Sequence, residues 1–119
     1  MRVLIVDDSA PFRRAARALL EVSGYRVVGE ADCVAAGLLA ASRLKPDAVL
    51  LDVRLPDGSG LDLCDLLTRE DYAPAVLLVS SDGAADAASA EARGACGYVP
   101  KEDLGRVDLN TFWATKPCS

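Results

Sequence analysis

Short, nearly continuous apolar runs alternate along this chain with segments whose apolar positions recur every three or four residues. Val3 to Val6 reads as a buried strand. Pro11 can sit in the first turn of a helix that Ser9 caps. Phe12, Ala15, Ala16, Leu19 and Leu20 fall on one face of that helix, Arg13, Arg14 and Arg17 take the other, and Gly24 ends it. Arg26 to Gly29 predicts a second strand. Val34 to Leu44 predicts a helix with Val34, Leu38 and Leu39 inward, closed by Pro46. Ala48 to Leu51 is a third strand, and Leu55 to Gly60 is a dense turn signal. Leu61 to Leu67 then predicts a helix with Leu63, Leu66 and Leu67 as core contacts. A fourth strand spans Ala75 to Val79, an alanine-rich helix spans Asp82 to Arg93, and Gly94 stops it. Gly97 to Val99 is a short fifth strand, with a last helix from Glu102 or Asp103. Phe112 and Trp113 call for burial, and Lys116 to Ser119 reads as a frayed end.

Five strands alternating with helices through short connections predict parallel strands, right-handed crossovers and a three-layer α/β/α sandwich, with one domain over residues 1–119. The apolar strands suit a sheet covered on both faces.

Composition narrows the chemistry. The chain has 119 residues, 51% of them hydrophobic and 26% charged, which is the balance of a globular domain. A net charge of −5 argues against non-specific binding to nucleic acid or to an anionic membrane, both of which favour a basic face. Histidine is absent, and Cys33, Cys64, Cys96 and Cys118 form no C-x-x-C pair; Cys33, Cys64 and Cys96 lie among apolar residues and read as small buried thiols rather than zinc ligands. No apolar stretch is long enough to span a membrane and no signal-peptide pattern opens the chain, so a reducing cytoplasm is expected.

Acids close two of the most apolar runs. Asp7-Asp8 follows Val3 to Val6, and Asp52 follows Ala48 to Leu51. A buried ionised carboxylate is costly, so acids in these positions need a reason. In an open α/β sheet, ligands bind at the carboxyl edge. The ends of strands one, three, four and five carry Asp7 and Asp8, Asp52, Ser80 and Lys101. Clustered carboxylates raise one another's pKa unless a cation intervenes, and a hard divalent ion with oxygen ligands, Mg²⁺ (or Mn²⁺), resolves the repulsion. With a lysine and a hydroxyl beside them, these acids describe a site for phosphoryl oxygens, in which a carboxylate can act as nucleophile.

Four pieces in order, V-L-I-V-D-D-S, V-L-L-D-V-R-L-P-D-G-S-G, L-L-V-S-S and G-A-C-G-Y-V-P-K, resemble a response-regulator receiver domain, the phosphoacceptor module of two-component signalling. The resemblance runs from residue 1 to about residue 108 and implies the flavodoxin-like strand order 2-1-3-4-5. It implies that Asp52 is the phosphorylated aspartate. Asp8 and Asp52 would coordinate Mg²⁺ directly, with Asp7 a water-mediated or weaker ligand and the Arg54 backbone carbonyl completing the set. Lys101 would pair with Asp52 and then with the phosphoryl group. Ser80 would donate to a phosphoryl oxygen and Tyr98 would follow inward as the switch aromatic, while Pro56 and Gly60 shape the loop. Arg54 and Asp82 are expected to flank the mouth as an ion pair that shields the phosphoryl group. Pro100 precedes rather than follows Lys101, so no cis bond after the lysine is expected.

The implied partner is a sensor histidine kinase or phosphotransfer protein. A receiver homodimer and, for a fragment, a DNA-binding output module are further admissible partners, although the small side chains of the fourth helix and the short final helix weaken the usual dimer face. A phosphohydrolase with an aspartyl-phosphate intermediate typically carries a second acid two residues after its nucleophile, where this chain has Arg54. A flavin module needs glycines and hydroxyls where Asp8-Ser9-Ala10-Pro11 stands. A receiver-like interaction module that works without phosphate would not need the full set of Asp7, Asp8, Asp52, Ser80 and Lys101.

Overall fold

The computed structural model describes residues 1–81 and 87–113. Five strands form the main sheet: β1 (Arg2–Val6), β2 (Arg26–Ala31), β3 (Ala48–Asp52), β4 (Ala75–Ser80) and β5 (Gly97–Pro100). All pair in parallel, in the order β2-β1-β3-β4-β5. Both the three-layer architecture and this order meet the expectation. The helices are α1 (Ala10–Val22), α2 (Val34–Leu44), α3 (Gly60–Thr68), α4 (Ala87–Ala92) and the short α5 (Asn110–Trp113). Lys101–Arg106 is a 3₁₀ helix. A two-stranded antiparallel ribbon, Arg54–Leu55 with Gly58–Ser59, lies between β3 and α3 and outside the main sheet.

The inner strands are buried at every position from Val3 to Val6, Ala48 to Asp52 and Ala75 to Ser80. Alternate residues serve opposite faces, as the pleat requires. Leu4, Val6, Val49, Leu51, Val76 and Leu78 pack with Leu63, Cys64 and Leu67 of α3. Val3, Ile5, Leu50, Leu77 and Val79 pack with Leu20 of α1, Leu104, Leu109 and Trp113. Full burial of each such leucine is worth roughly 1.5–3 kcal/mol. α2 lies close to β1 because Gly37 faces it, and a Cβ there would meet Val6 and Leu63 at 3.0 Å.

Two predicted core residues turn outward. Leu39 is 56% and Leu66 43% exposed. The inward stripe of α2 runs through Gly37 and Ala41, and that of α3 through Gly60, Leu63, Cys64 and Leu67. Leu39 and Leu66 each sit about 100° around the helix from an inward neighbour. A packed helix accepts one stripe, so apolar character alone could not choose between adjacent leucines.

The predicted last helix also differs. A 3₁₀ segment starts at Lys101, Val107 is extended, and a separate four-residue helix follows. Gly105 is a poor helix former and Leu104 is the single buried anchor of the 3₁₀ turns. Asp108 restarts the chain by accepting from the Asn110 N–H at 3.0 Å. Trp113 is buried as expected, edge-on to Tyr25 with ring centres 5.2 Å apart. The predicted helix from Asp82 is described from Ala87 onward, and the frayed end at Lys116 to Ser119 lies outside the described residues. The described residues contain no cis peptide bond and no helix long and apolar enough to cross a membrane. Cys64 is buried while Cys33 and Cys96 are half-buried, and none of the three carries a disulfide.

Candidate functional site

Strand register brings the acids together. β1 and β3 run in parallel with Val6 opposite Leu51, so both deliver the next residue, Asp7 or Asp52, to the same edge. The extended β1 backbone continues through Asp7, whose N–H donates to the Ala31 carbonyl at 2.9 Å. Asp7 is fully buried and Asp52 is only 6% exposed, whereas Asp8 is exposed. One carboxylate oxygen from each of Asp7, Asp8 and Asp52 falls within 4.8 Å of the others.

Lys101 crosses from the end of β5 to bind two of these acids. Its Nζ lies 2.7 Å from Oδ2 of Asp7 and 3.3 Å from Oδ2 of Asp52. The same ammonium stands 4.4 Å from the ring centre of Phe12, a cation–π contact that covers it from the α1 side. The second oxygen of Asp52 accepts from the Arg54 N–H at 3.3 Å, and the second oxygen of Asp7 accepts from the Ser9 N–H at 2.8 Å. Ser9 in turn caps α1 through the Phe12 N–H, as predicted.

Burial first, and then the charge of Asp7, hold the Asp52 carboxyl above the usual carboxylate range, with Lys101 and the Arg54 N–H acting against them. For Lys101, burial acts to lower its pKa. The hydrogen bond and charge of Asp7, joined by those of Asp52, outweigh it and raise the net value. The edge is therefore an acid cluster with a resident ammonium.

The loop after Asp52 is held closely. Val53 N–H continues the β3–β4 pairing to the Val79 carbonyl, and Gly60 N–H donates to the Val53 carbonyl at 2.7 Å. A Cβ on Gly60 would lie 2.0 Å from the Asp52 carbonyl oxygen, so only glycine lets α3 start this close to the acid. Asp57 reaches out of the ribbon and accepts from the Val34 and Ala35 N–H groups at 2.7 and 3.0 Å, which caps α2. Cys33 caps the same helix through its Sγ and the Ala36 N–H.

Ser80 ends β4, buried, one residue past the Val79 that faces Asp52. Tyr98 lies within β5 opposite Leu78, half-buried and packed on the α2–α3 side of the sheet. Arg54 and Pro56 are exposed in the loop after Asp52, and Asp82, the expected ion-pair partner of Arg54, lies outside the described residues.

Sequence reasoning missed several participants. Phe12 packs against the core from α1, as its helical spacing predicts, and also flanks Lys101. Arg13 lies on the face of α1 opposite the apolar stripe, yet its Nη1 donates to the Asp7 carbonyl. The available signal was the i,i+4 pair Arg13 and Arg17 opposite an acid, Glu30, near the end of β2. Asp57 and Cys33 read as turn and core residues because their capping partners are distant in the chain or sit at an unusual cap.

The donor set suits a small hard cation. Its ligands are oxygens, and apart from the Lys101 ammonium the buried Oδ2 of Asp7 has no hydrogen-bond partner. Exposed Asp8 leaves the cluster open to solvent on one side.

Comparison with known proteins agrees with this geometry. The response regulator receiver domain family matches residues 3–109. The chain is 37% identical over 113 residues to a protein-glutamate methylesterase/protein-glutamine glutaminase of Archaeoglobus fulgidus, covering 93% of this chain and 32% of that protein. It is 39% identical over 107 residues to the DNA-binding transcriptional activator DevR/DosR of Mycobacterium tuberculosis, covering 88% of this chain and 49% of that protein. The chain thus spans about a third to a half of the length of these curated relatives. Among solved structures, the response regulator domain of Thermotoga maritima CheB superposes with a TM-score of 0.76 at 30% identity, covering 93% of this chain and 84% of that one. The chain belongs to the response regulator receiver domain family, the phosphoacceptor modules of two-component signalling.

Proposed function

We propose that Asp52 is the residue that accepts the phosphoryl group, in a reaction dependent on Mg²⁺ or Mn²⁺, and that the chain then switches conformation to control an output. The observation that carries this reading is the Lys101 ammonium held between the carboxylates of Asp7 and Asp52, with Asp8 completing the cluster at the carboxyl edge of the sheet.

Each residue has a distinct task. Asp8 and Asp52 would hold the metal directly, Asp7 would do so through water or more weakly, and the Arg54 carbonyl would complete the set. When bound, the metal supplies positive charge to the phosphoryl oxygens. Hydrogen bonds from Lys101 and the Arg54 N–H orient the two Asp52 oxygens. One Asp52 oxygen forms the new bond to phosphorus as the bond to the donor's leaving atom breaks, and the leaving group departs with that electron pair. Lys101 neutralises charge on the transferring group. Ser80 donates its hydroxyl to a phosphoryl oxygen, and Tyr98 follows it inward as the second half of the switch. Such a switch is a biased two-state equilibrium, which the unphosphorylated chain already samples.

The donor in this reading is a sensor histidine kinase or a phosphotransfer protein. Self-directed phosphorylation and dephosphorylation are the only chemistry assigned to the chain, and no metabolite is turned over. A DNA-binding output is supported by the similarity to DevR/DosR, and a second receiver copy is the other partner considered. The cytoplasm is the compartment this reading assigns to the module. The rim pair of Arg54 with Asp82 remains part of the proposal, as a shield that slows loss of the phosphoryl group.

The test is Mg²⁺ with a small acyl phosphate, read by intact mass and by size in parallel. The expected result is a gain of one phosphoryl group that vanishes in Asp52→Asn or with a chelator. No gain in the wild-type chain overturns the reading and favours an interaction module that works without phosphate.

A further inference from the structure

We propose that Arg13, oriented by Glu30, is a positioning residue that fixes the backbone carrying Asp7 and Asp8 and so sets the divalent-cation affinity of the acid cluster. This rests on the reading of that cluster as a metal site.

Arg13 follows Asp7 by six residues and stands in the first turns of α1. Its guanidinium turns back past the helix start, and Nη1 donates to the Asp7 carbonyl. Its Nε donates to Oε1 of Glu30 at 2.9 Å. Arg17, one turn later, donates to the other oxygen, Oε2, at 2.9 Å. Glu30 lies on β2 opposite Ile5, so the cluster joins the ends of β1 and β2 to α1. Burial acts to raise the Glu30 carboxyl, but the hydrogen bonds and charges of Arg17 and Arg13 outweigh it and hold it low. Glu30 therefore remains a charged acceptor. The Arg13 side chain is only 18% exposed, which marks it as a built-in part of the edge rather than a free surface cation.

Asp7 is thereby held from three directions: its N–H on Ala31, its Oδ1 on Ser9 and its carbonyl on Arg13. Oδ2 is left to face the Lys101 ammonium and the cluster. A planar fork with several donors can serve a carbonyl and a carboxylate at once, whereas a lysine supplies one nitrogen. Outer-shell groups that orient ligands typically change metal affinity about 10–100-fold when removed.

The sign of the effect separates positioning from plain electrostatics. Arg13 is a cation close to a cation site, so charge alone predicts that its removal tightens Mg²⁺ binding. Positioning predicts that removal weakens it.

The experiment is calorimetric titration of Mg²⁺ into the full chain and into Arg13→Gln, Arg13→Lys and Glu30→Gln, with far-UV circular dichroism confirming that each remains folded. Both Arg13 variants are expected to bind roughly tenfold more weakly, lysine failing to rescue although it keeps the charge. Glu30→Gln, which leaves Arg13 in place without its charged partner, is expected to weaken binding in the same direction but less. Should Arg13→Gln fail to fold, Arg13→Lys, which keeps the charge and so responds only to positioning, carries the test, since losing the Glu30 charge would by itself also weaken binding. Unchanged or tighter binding in Arg13→Gln, or wild-type affinity in Arg13→Lys, overturns the inference. A wild-type chain that binds no Mg²⁺ removes the site reading itself, whereas a binding wild type with unaffected variants removes only the role of Arg13.

Discussion

The two faces of the sheet share the same strands but are covered in different ways. On one side α2 and α3, of 11 and 9 residues and each capped from outside its own first turn or by a flanking serine, lie with α4, whose buried Ala90 joins their core cluster. On the other, α1 is well capped, but its neighbour is a 3₁₀ turn followed by the four-residue α5. What the second cover lacks in regular helix it replaces with one large side chain, the fully buried Trp113 braced by Tyr25. Helix length is therefore a poor guide to how much a segment holds the core. The site sits at the edge where the two covers meet, with Lys101 beginning the irregular side and the Asp52 loop running into α3 on the regular side.

The comparison breaks most readily at its bulkiest point. Trp113→Ala is expected to cost about 3–5 kcal/mol in a denaturant melt, comparable with about 2–5 kcal/mol for Leu67→Ala on the opposite face. A loss at Trp113 far smaller than at Leu67 would mean that the short C-terminal cover is not part of the core. Gly60→Ala should follow, because its new methyl would collide with the Asp52 carbonyl. A cost of about 1–3 kcal/mol is expected, together with weakened Mg²⁺ binding, since relief of the clash must move the Asp52 loop.

A smaller effect separates the faces by pH. The Val34 and Ala35 N–H groups hold the Asp57 carboxyl below the usual range. A carboxyl lowered in the folded state stabilises it above the unfolded pKa, and that contribution is lost as pH falls through the folded value. Asp57→Asn is therefore expected to lower stability slightly at neutral pH and to flatten the acid limb of the stability curve, as followed by thermal melts. An acid limb of unchanged slope would show that the cap does not hold α2. The mildest probe is thiol reactivity. Burial first, then the nearby Asp65, pushes Cys64 up to about 12, so it should react with an aromatic disulfide well after the half-buried Cys33 and Cys96. Early modification of Cys64 would mean that the α3 face opens more readily than its packing suggests.

Much of this is legible in the sequence. The strands were legible because Val3 to Val6, Ala48 to Leu51 and Ala75 to Val79 are too apolar and too short for anything but buried strands between turn signals. Asp7 and Asp52 stood out because an acid directly after such a run is costly without a partner. Lys101 followed from topology, since parallel strands place their ends on one edge. What escaped notice depends on contacts between distant parts of the chain. Asp57 caps a helix that begins 23 residues earlier, and Arg13 meets Glu30 17 residues later. Leu39 and Leu66 failed for a local reason, because each stands beside another leucine and only packing decides which turns inward. The last helix departs from expectation because Gly105 and the extended Val107 divide the segment into 3₁₀ turns and a separate short helix.

The most direct test of the central claim is to trap the acyl phosphate. The chain is treated with Mg²⁺ and an acyl phosphate, reduced with borohydride, and mapped by peptide mass. Modification confined to residue 52, absent without the metal and absent in Lys101→Ala or strongly reduced there, is the expected result. Modification at Asp7 or Asp8 instead, or none at all in the folded wild-type chain, would contradict it.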